Sequence, residues 1–567
     1  MRFIAGVDIG NCNTEVVIAR CDGDGPEPVW HDFVPTSGRK GSPTSLLGAA
    51  DLLRRAEKDL GIRVELVALA QLRPVDTLSI PLNGAHRSDV PVRSLCRGAS
   101  ESPAGQGVGV GVHVPLDELL GDVRREPVVV SVPLGVDFED AAGQLSSGWK
   151  RGWNIHGVLV TQNDAVLIHN RIPFDVPIVD EVDLRYLRTG DRVALEVVAP
   201  GVLRRTLADP MSLADALGLE TTDLPRLLHV TRELSDASAI AVTKRWADDS
   251  EASIVDDDYV VCDKDGVLQR LGIGEAAQFL ATAPPGTARS VRINSVHDGS
   301  ETATADALVV DLSSADDGAW LRRGTVTLDC LVLAMLSQAV EVDAAELLSS
   351  EIDRNVVTVT DESTAAALGA GTTPAFSVSA AVCDVGAGTV DCVWGDNAAT
   401  VAGGGEIVTL AVAAALAIPI SLAEHVKRSA SVRVTGPHLV HEEDGRRRFL
   451  VRAAPSESIG RLCVRTESTL IPFNDKLAPE EWRSLRLSLK QATVATNIAR
   501  CFAAFPAQPT SVVMAGGGAL DDELVRSVTE KLYKSRVVVG RANVAGQFGP
   551  RFAVAWGLVK FAYDKSI

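Results

Sequence analysis

Two stretches pair an aspartate with a tight turn of small residues directly after an apolar run. They are Asp8-Ile9-Gly10-Asn11-Cys12-Asn13 and Asp384-Val385-Gly386-Ala387-Gly388-Thr389. Such a turn leaves backbone N–H groups free to point at an anion. A glycine lets that backbone approach closely. The aspartate then faces whatever cation the anion brings, and a hydrated magnesium ion suits it. One D-x-G turn alone is equally well an ordinary hairpin. Its return at the head of the second half predicts an internally duplicated phosphate clamp, with Asp8 and Asp384 facing the metal. Two further glycine tracts follow in order. Gly403-Gly404-Gly405-Glu406 offers bare backbone and a carboxylate around a ribose, or else close packing. Gly516-Gly517-Gly518 ends the apolar run Ser511 to Ala515 and precedes a helix whose Asp521 and Asp522 sit at its positive end. A flat ring can lie on such bare backbone, although a plain helix start has the same look. Phosphoryl transfer rests on positioning and charge neutralisation, so these aspartates need no unusual pKa. No general base stands out. Asp384 can polarise a water, and Asp391 and Glu362 are weaker choices, so hydrolysis is expected to be slow and tied to domain movement.

The elements that must position these residues can be read in outline. Phe3 to Ile9 and Thr14 to Ala19 flank the first turn, and Val29 to Val34 adds a third strand. Thr44 or Ser45 caps a helix over Leu46 to Leu60, which Gly61 ends. Val64 to Leu72 is a covered strand. The Gly107-Val108-Gly109-Val110-Gly111-Val112 alternation is a strand with one bare face, against which something packs closely. Val128 to Val132, a helix capped by Asp137, and Ile155 to Thr161 form a β-α-β unit. Asn163-Asp164 ends its second strand, and a short hairpin containing His169 leads to Ile178-Val179-Asp180. Asp209 caps a helix with Pro210 at its first position. Acidic residues 247–258 read as a solvated linker. Ile407 to Ala423 reads as one buried helix, Glu480 to Phe505 as one long helix, and Leu520 to Leu532 as another. His438 and His441 beside a hairpin do not make a metal motif.

With 567 residues, 46% of them hydrophobic and 23% charged, the chain has room for several cores and is not disordered. A formal net charge of −19 opposes nucleic acid and anionic membrane as partners. Nine cysteines without a C-x-x-C pair fit reduced thiols and offer no zinc site. Because the N-terminus enters a strand directly, the expected location is cytoplasmic.

The two hairpins, the two glycine tracts and the small-residue helix Glu362-Ser363-Thr364-Ala365-Ala366-Ala367-Leu368-Gly369-Ala370 together resemble the actin-like ATPases. Four stretches narrow the resemblance: Ile4 to Asn11, Gly135 to Asp140, Pro177 to Val182 and Asp384 to Asp391. They are similar to the large subunit of diol or glycerol dehydratase reactivase. The resemblance implies an α/β chain with an actin-like, heat-shock-chaperone-like ATPase fold and an inserted α/β swivelling domain. The expected divisions are 1–90 and 376–567 for the two parts of the ATPase domain, 91–250 for the insert, and 251–375 for a linker and continuation. ATP or ADP with magnesium is expected between the hairpins. Its ligands would be Gly10, Asn11, Cys12 and Asn13 from the first turn and Gly386, Ala387, Gly388 and Thr389 from the second. Gly403 to Glu406, Gly516 to Gly518 and Arg551 complete the set. The family's subunit-contact metal ligands fall on Ser102, Asn163 (with Asp164 beside it) and Asp180, suited to magnesium or calcium. The implied activity is slow ATP hydrolysis that releases damaged cobalamin from an inactivated dehydratase. The implied partners are a small reactivase subunit, in an α2β2 heterotetramer, and the dehydratase. The rival readings are an actin-like small-molecule kinase, for which no substrate aspartate is identified, and a general protein-folding chaperone.

Overall fold

Phe3–Ile9 buries Ile4, Ala5, Val7 and Ile9 completely, so both faces of this strand are covered. In the computed structural model it is the middle of a five-stranded sheet, in the order Asn355–Thr360, Leu66–Ala70, Phe3–Ile9, Asn13–Cys21, Pro26–Pro35. The first three run parallel, and the last two return antiparallel. The structure describes residues 2–23, 25–81, 92–95, 103–182, 184, 187–198, 206–224, 227, 231, 239–244, 258–264, 266–293, 301–313, 315, 321–322, 326, 328, 330–338, 343–466 and 469–566.

A second sheet repeats the first, strand for strand. Its order is Val538–Arg541, Ser511–Ala515, Ala381–Val385, Thr389–Trp394, Asn397–Ala402, with the same directions. The D-x-G turn joins corresponding strands in both sheets. The duplication read from two short motifs is therefore a duplication of whole sheets, in the paired arrangement expected of an actin-like ATPase.

Two helices join the halves. Glu362–Ala370 follows the last strand of the first sheet, and Ala553–Ser566 follows that of the second. Small residues let them cross at backbone contact. A Cβ on Gly369 would overlap the carbonyl oxygen of Ala553, one on Gly557 that of Ala365, and one on Gly6 that of Ala555.

Residues expected as linker and continuation build a third sheet. Val267–Gly272, Tyr259–Lys264, Ala288–Arg292, Glu301–Asp311 and Cys330–Ser337 run antiparallel and close on Val75–Pro81. A local reading misses this sheet because its partners lie far apart, as in the pairing of Leu78 with Leu333. Between them in sequence lies a seven-stranded mixed sheet from Val92–Ser94 to Ala239–Lys244, which holds the expected β-α-β unit. Its Gly107–Pro115 strand is bare for the reason foreseen: Cβ atoms on Gly109 and Gly111 would run into the carbonyls of His156 and Pro127. The acidic linker 247–258 lies outside the described residues except for Asp258. A fifth sheet, antiparallel, spans Ser431–Gly436 to Leu470–Asn474.

Several boundaries move. The first helix is Pro43–Leu60, capped by the Ser42 side chain and not by Thr44 or Ser45, because Pro43 takes the first helical position. Gly61 ends it in the left-handed conformation as expected. The apolar stretch 407–423 is two helices, Gly405–Leu416 and Ile420–Arg428, bent by 107° before Pro419 can enter the first. Among the described residues no single helix is long and apolar enough to cross a membrane. A short helix, Ala165–His169, replaces the expected hairpin. The long helix is Pro479–Lys490 and Thr496–Ala503 with a π-turn, Gln491–Ala495, between them. The helix after Gly516 to Gly518 starts at Asp522, with Asp521 as its cap.

Candidate functional site

The carbonyls of each D-x-G turn are tied back by residues that follow the third strand of its sheet. In the second turn, Gly403 and Gly404 donate to Gly388 O (2.8 and 2.9 Å), Gly405 to Gly386 O (2.8 Å) and Glu406 to Ala387 O (2.9 Å). In the first, Thr36 donates its N–H to Cys12 O and its hydroxyl to Gly10 O, both at 2.9 Å. Thr36 and Gly403 each directly follow the third strand of their sheet. Gly10 and Gly386 also close their own turns, donating to Asn13 O (2.9 Å) and Thr389 O (3.1 Å), so each turn is braced from both sides. Gly403 (φ +98°) and Gly404 must be glycines, because a Cβ on Gly404 would collide with the Gly386 carbonyl.

Each hairpin carries two opposed acids. Asp8 pairs across the ladder with Glu15, and Asp384 with Asp391, seven residues on in both cases. Asp391 is tied by the Thr389 and Thr400 hydroxyls at 2.9 and 2.5 Å. Glu15 meets the Arg551 guanidinium at 3.4 Å and the Phe552 N–H at 3.2 Å. Arg551 also lies over the Phe33 ring, 4.1 Å from its centroid. Glu362, at the start of its helix, pairs at 2.5 Å with buried Lys40. The Asp384 Oδ1 has no hydrogen-bond partner among the described residues.

Five carboxylates thus share a space in which Lys40, Arg551 and Arg73 supply positive charge. Burial, then Glu15, pushes Asp8 up to about 7. Burial lifts Glu362 to about 7 against the pull of Lys40. Asp384 is raised well above the carboxylate range by burial and by Asp391, Asp8, Glu15 and Glu362. Burial would strip Lys40 of its proton, but Glu362, Asp8 and Asp391 outweigh it and raise its pKa. An orphaned carboxylate oxygen within an excess of acid fits a divalent cation. Among the described residues no three carboxylates, imidazoles or thiols close into an all-protein cage.

These directions predict a pH dependence. Asp8 and Glu362 hold protons up to about pH 7 in the folded chain, whereas an unfolded chain has lost them above about pH 4. Stability of the chain alone should therefore fall as pH rises from about 4 to 7. A divalent cation with nucleotide favours the ionised acids, so its binding should release protons near pH 6.5 and tighten toward pH 8. Calorimetry in two buffers of different ionisation enthalpy measures this release. Equal heats in both would contradict it.

The acids stand beside a cleft of about 650 Å³. Cys12, Asn13, Gly386, Ala387 and Arg551 face one end. Gly405, Glu406, Gly517 and Gly518 line it too, the first two bonded directly to the Gly386 and Ala387 carbonyls. Gly516, at φ +79°, lies against the Asp384 carboxylate, and a Cβ on Gly518 would meet Val385 Cγ1 at 2.5 Å. The far end is a buried ionic wall. Arg486 donates to Glu523 (2.7 Å) and Glu443 (2.9 Å), and Lys490 pairs with Glu523 (2.9 Å) and Asp521 (2.7 Å). Asn11 bridges the halves, donating to Val75 O at 2.7 Å and to Glu406 at 3.2 Å.

The structure thus brings together the expected residues of both hairpins and both glycine tracts. Sequence reasoning missed Lys40, Glu15, Arg486 and Lys490. The acid seven residues after each aspartate was a readable signal for Glu15. A lone lysine in a polar loop was not. For the expected metal ligands of the inserted domain, Ser102 lies outside the described residues. Asp180 is buried at the end of Ile178–Val179, and Asn163 (exposed) and Asp164 (half-buried) follow the adjacent parallel strand Ile155–Val160. Both turns thus lie at the same edge of the sheet.

Comparison with known proteins agrees with this fold. Residues 294–562 match the family model described as diol dehydratase reactivase ATPase-like domain, and residues 95–248 match the DD-reactivating factor swiveling domain. The chain is 28% identical to the propanediol dehydratase-reactivating factor large subunit of Citrobacter freundii, over 99% of this chain and 98% of that one. It is also 28% identical to the diol dehydratase-reactivating factor large subunit of Klebsiella michiganensis, over 100% of both. The solved structure of a diol dehydratase-reactivating factor in nucleotide-free form superposes with a TM-score of 0.58 at 26% identity, covering 100% of each chain. A glycerol dehydratase reactivase shares the fold with a TM-score of 0.57 at 24% identity, again over 100% of each chain. The chain thus carries both domains of the diol dehydratase reactivase family, the ATPase-like domain and the swiveling domain.

Proposed function

We propose that this chain is the ATP-hydrolysing subunit of a factor that frees an inactivated, cobalamin-dependent diol or glycerol dehydratase of its damaged cofactor, so that intact adenosylcobalamin can enter. The observation that carries the reading is the excess of buried carboxylate around Asp384, at the base of two D-x-G turns whose Cys12, Asn13, Gly386 and Ala387 line a cleft of about 650 Å³. The family membership supplies the dehydratase.

ATP lies with its phosphates between Gly10 to Asn13 and Gly386 to Thr389, its ribose near Gly403 to Glu406 and its base over Gly516 to Gly518. Asp8 and Asp384 would hold a hydrated magnesium ion. That ion would neutralise phosphate charge and polarise the terminal phosphoryl group. Lys40 holds Glu362 in place and offers its ammonium to the terminal phosphate. Asp384 or Glu362 holds the attacking water. With no strong base, turnover is slow, and polyols do not change it. A coupled ATPase assay with and without glycerol, 1,2-propanediol and a panel of sugars tests this. Rapid phosphorylation of any of them would favour the kinase reading.

The inserted domain, 91–250, is the part that changes partners. Asp180 and Asn163 or Asp164 would hold a magnesium or calcium ion at their end of the sheet, with Ser102 as the further ligand expected from the sequence, and a carboxylate of the small subunit would complete its shell in an α2β2 assembly. ATP biases the exchange of small subunit for dehydratase through its differing affinity for the two states. Asp180→Ala should weaken small-subunit binding at least tenfold and leave nucleotide binding unchanged. Titrating the small subunit onto wild type and variant, with and without chelator, checks this. Equal affinity in all four arms would remove the metal from the contact.

A further inference from the structure

The second phosphate turn is held from behind by Gly403 to Glu406, so whatever fixes that tract also fixes the turn. Asn497 does so. It is fully buried on Thr496–Ala503, just past the π-turn, a helix irregularity often found at functional positions. Its amide donates to the carbonyls of Ala402 (2.6 Å) and Gly403 (2.8 Å). Its Oδ1 accepts from Arg500 at 2.8 Å. Arg500 in turn pairs with Asp306 at 3.2 Å and donates to Ala283 O at 3.1 Å. Asp306 accepts from the N–H groups of Ala402 (3.0 Å) and Gly286 (2.9 Å). Asp306 is re-aimed by a register shift between Thr304 and Asp306 in the third sheet. Both ions and Asn497 are almost wholly buried.

A buried ion pair is a poor way to hold two elements together, since apolar side chains of similar volume do so at least as well. Apolar side chains cannot, however, grip both the N–H and C=O of Ala402 and the C=O of Gly403. We propose that Asn497, Arg500 and Asp306 are positioning residues that lock the nucleotide turn to the third sheet. Val75–Pro81 of that sheet runs directly into the inserted segment. Occupancy of the cleft and the position of the sheet are thereby read by one another. The inference rests on the nucleotide reading above and deepens it by naming the route out of the cleft.

Asn497→Asp separates this role from simple packing. It keeps the acceptor for Arg500 and loses both donors to the tract. The full-length chain is titrated with a fluorescent ATP analogue and magnesium, and hydrogen exchange of Val75–Pro81 is followed with and without ATP. Melting temperature serves as the fold control. The variant should bind the analogue at least tenfold more weakly and lose the nucleotide-dependent change in Val75–Pro81. A folded variant with wild-type affinity and wild-type response would overturn the proposal. If Asn497→Asp does not fold, Arg500→Lys keeps the charge beside Asp306 but not the bond to Asn497. It should weaken binding at least threefold, and unchanged binding would overturn the proposal equally. A wild type that binds no analogue would sink the nucleotide reading, and this inference with it.

Discussion

Asp384→Asn should lower ATP hydrolysis by about 100- to 1,000-fold, the usual loss when one preorganised group around a transferring phosphoryl is removed. The substitution keeps the size of the side chain that lies against Gly516. It removes the carboxylate whose Oδ1 lacks a partner among the described residues. The chain alone should be slightly stabilised, because folding no longer has to force a proton onto a buried carboxylate, under the field of Asp391, Asp8, Glu15 and Glu362, that the unfolded chain leaves ionised. Opposite signs for stability and activity mark a group kept for chemistry. Melting temperature and steady-state hydrolysis on the same preparation supply both numbers. A variant that loses stability and keeps activity would make Asp384 a structural residue.

Gly557→Val should cost about 3 kcal/mol or more, the upper range for overpacking a tight contact. A Cβ there overlaps the Ala365 carbonyl, and backbone cannot swing aside as a side chain can. The two joining helices must part, and with them the two sheets that carry the hairpins. Hydrolysis should therefore fall along with stability, although no atom of the cleft has been touched. Urea unfolding beside an ATPase assay checks it. Wild-type stability would mean that the helix crossing has slack the structure does not show.

Much of the site was legible because it is local. A D-x-G turn needs its aspartate, glycine and flanking apolar runs within a dozen residues, and both turns stand where they were expected. The same holds for Glu362–Ala370, whose small residues announced a close crossing. What escaped notice is held together by distance. Lys40 gains its role from Glu362, more than three hundred positions away. The third sheet needs Val75–Pro81 to find Cys330–Ser337 across the inserted domain. Arg486 and Lys490 look like the polar face of an ordinary helix until the fold sets Glu523 and Glu443 against them. The stretch 407–423 misled for a different reason: its uniform apolarity hid the break that Pro419 imposes.

The most direct test of the account uses a diol dehydratase loaded with cyanocobalamin, which cannot turn over. The chain, its small subunit, magnesium and ATP are added, and free cyanocobalamin and activity after adding adenosylcobalamin are read together. The account predicts release and recovered activity with wild type and ATP. Neither should occur without ATP or with Asp384→Asn. Release of equal extent without ATP, or with the Asp384 variant, would contradict it.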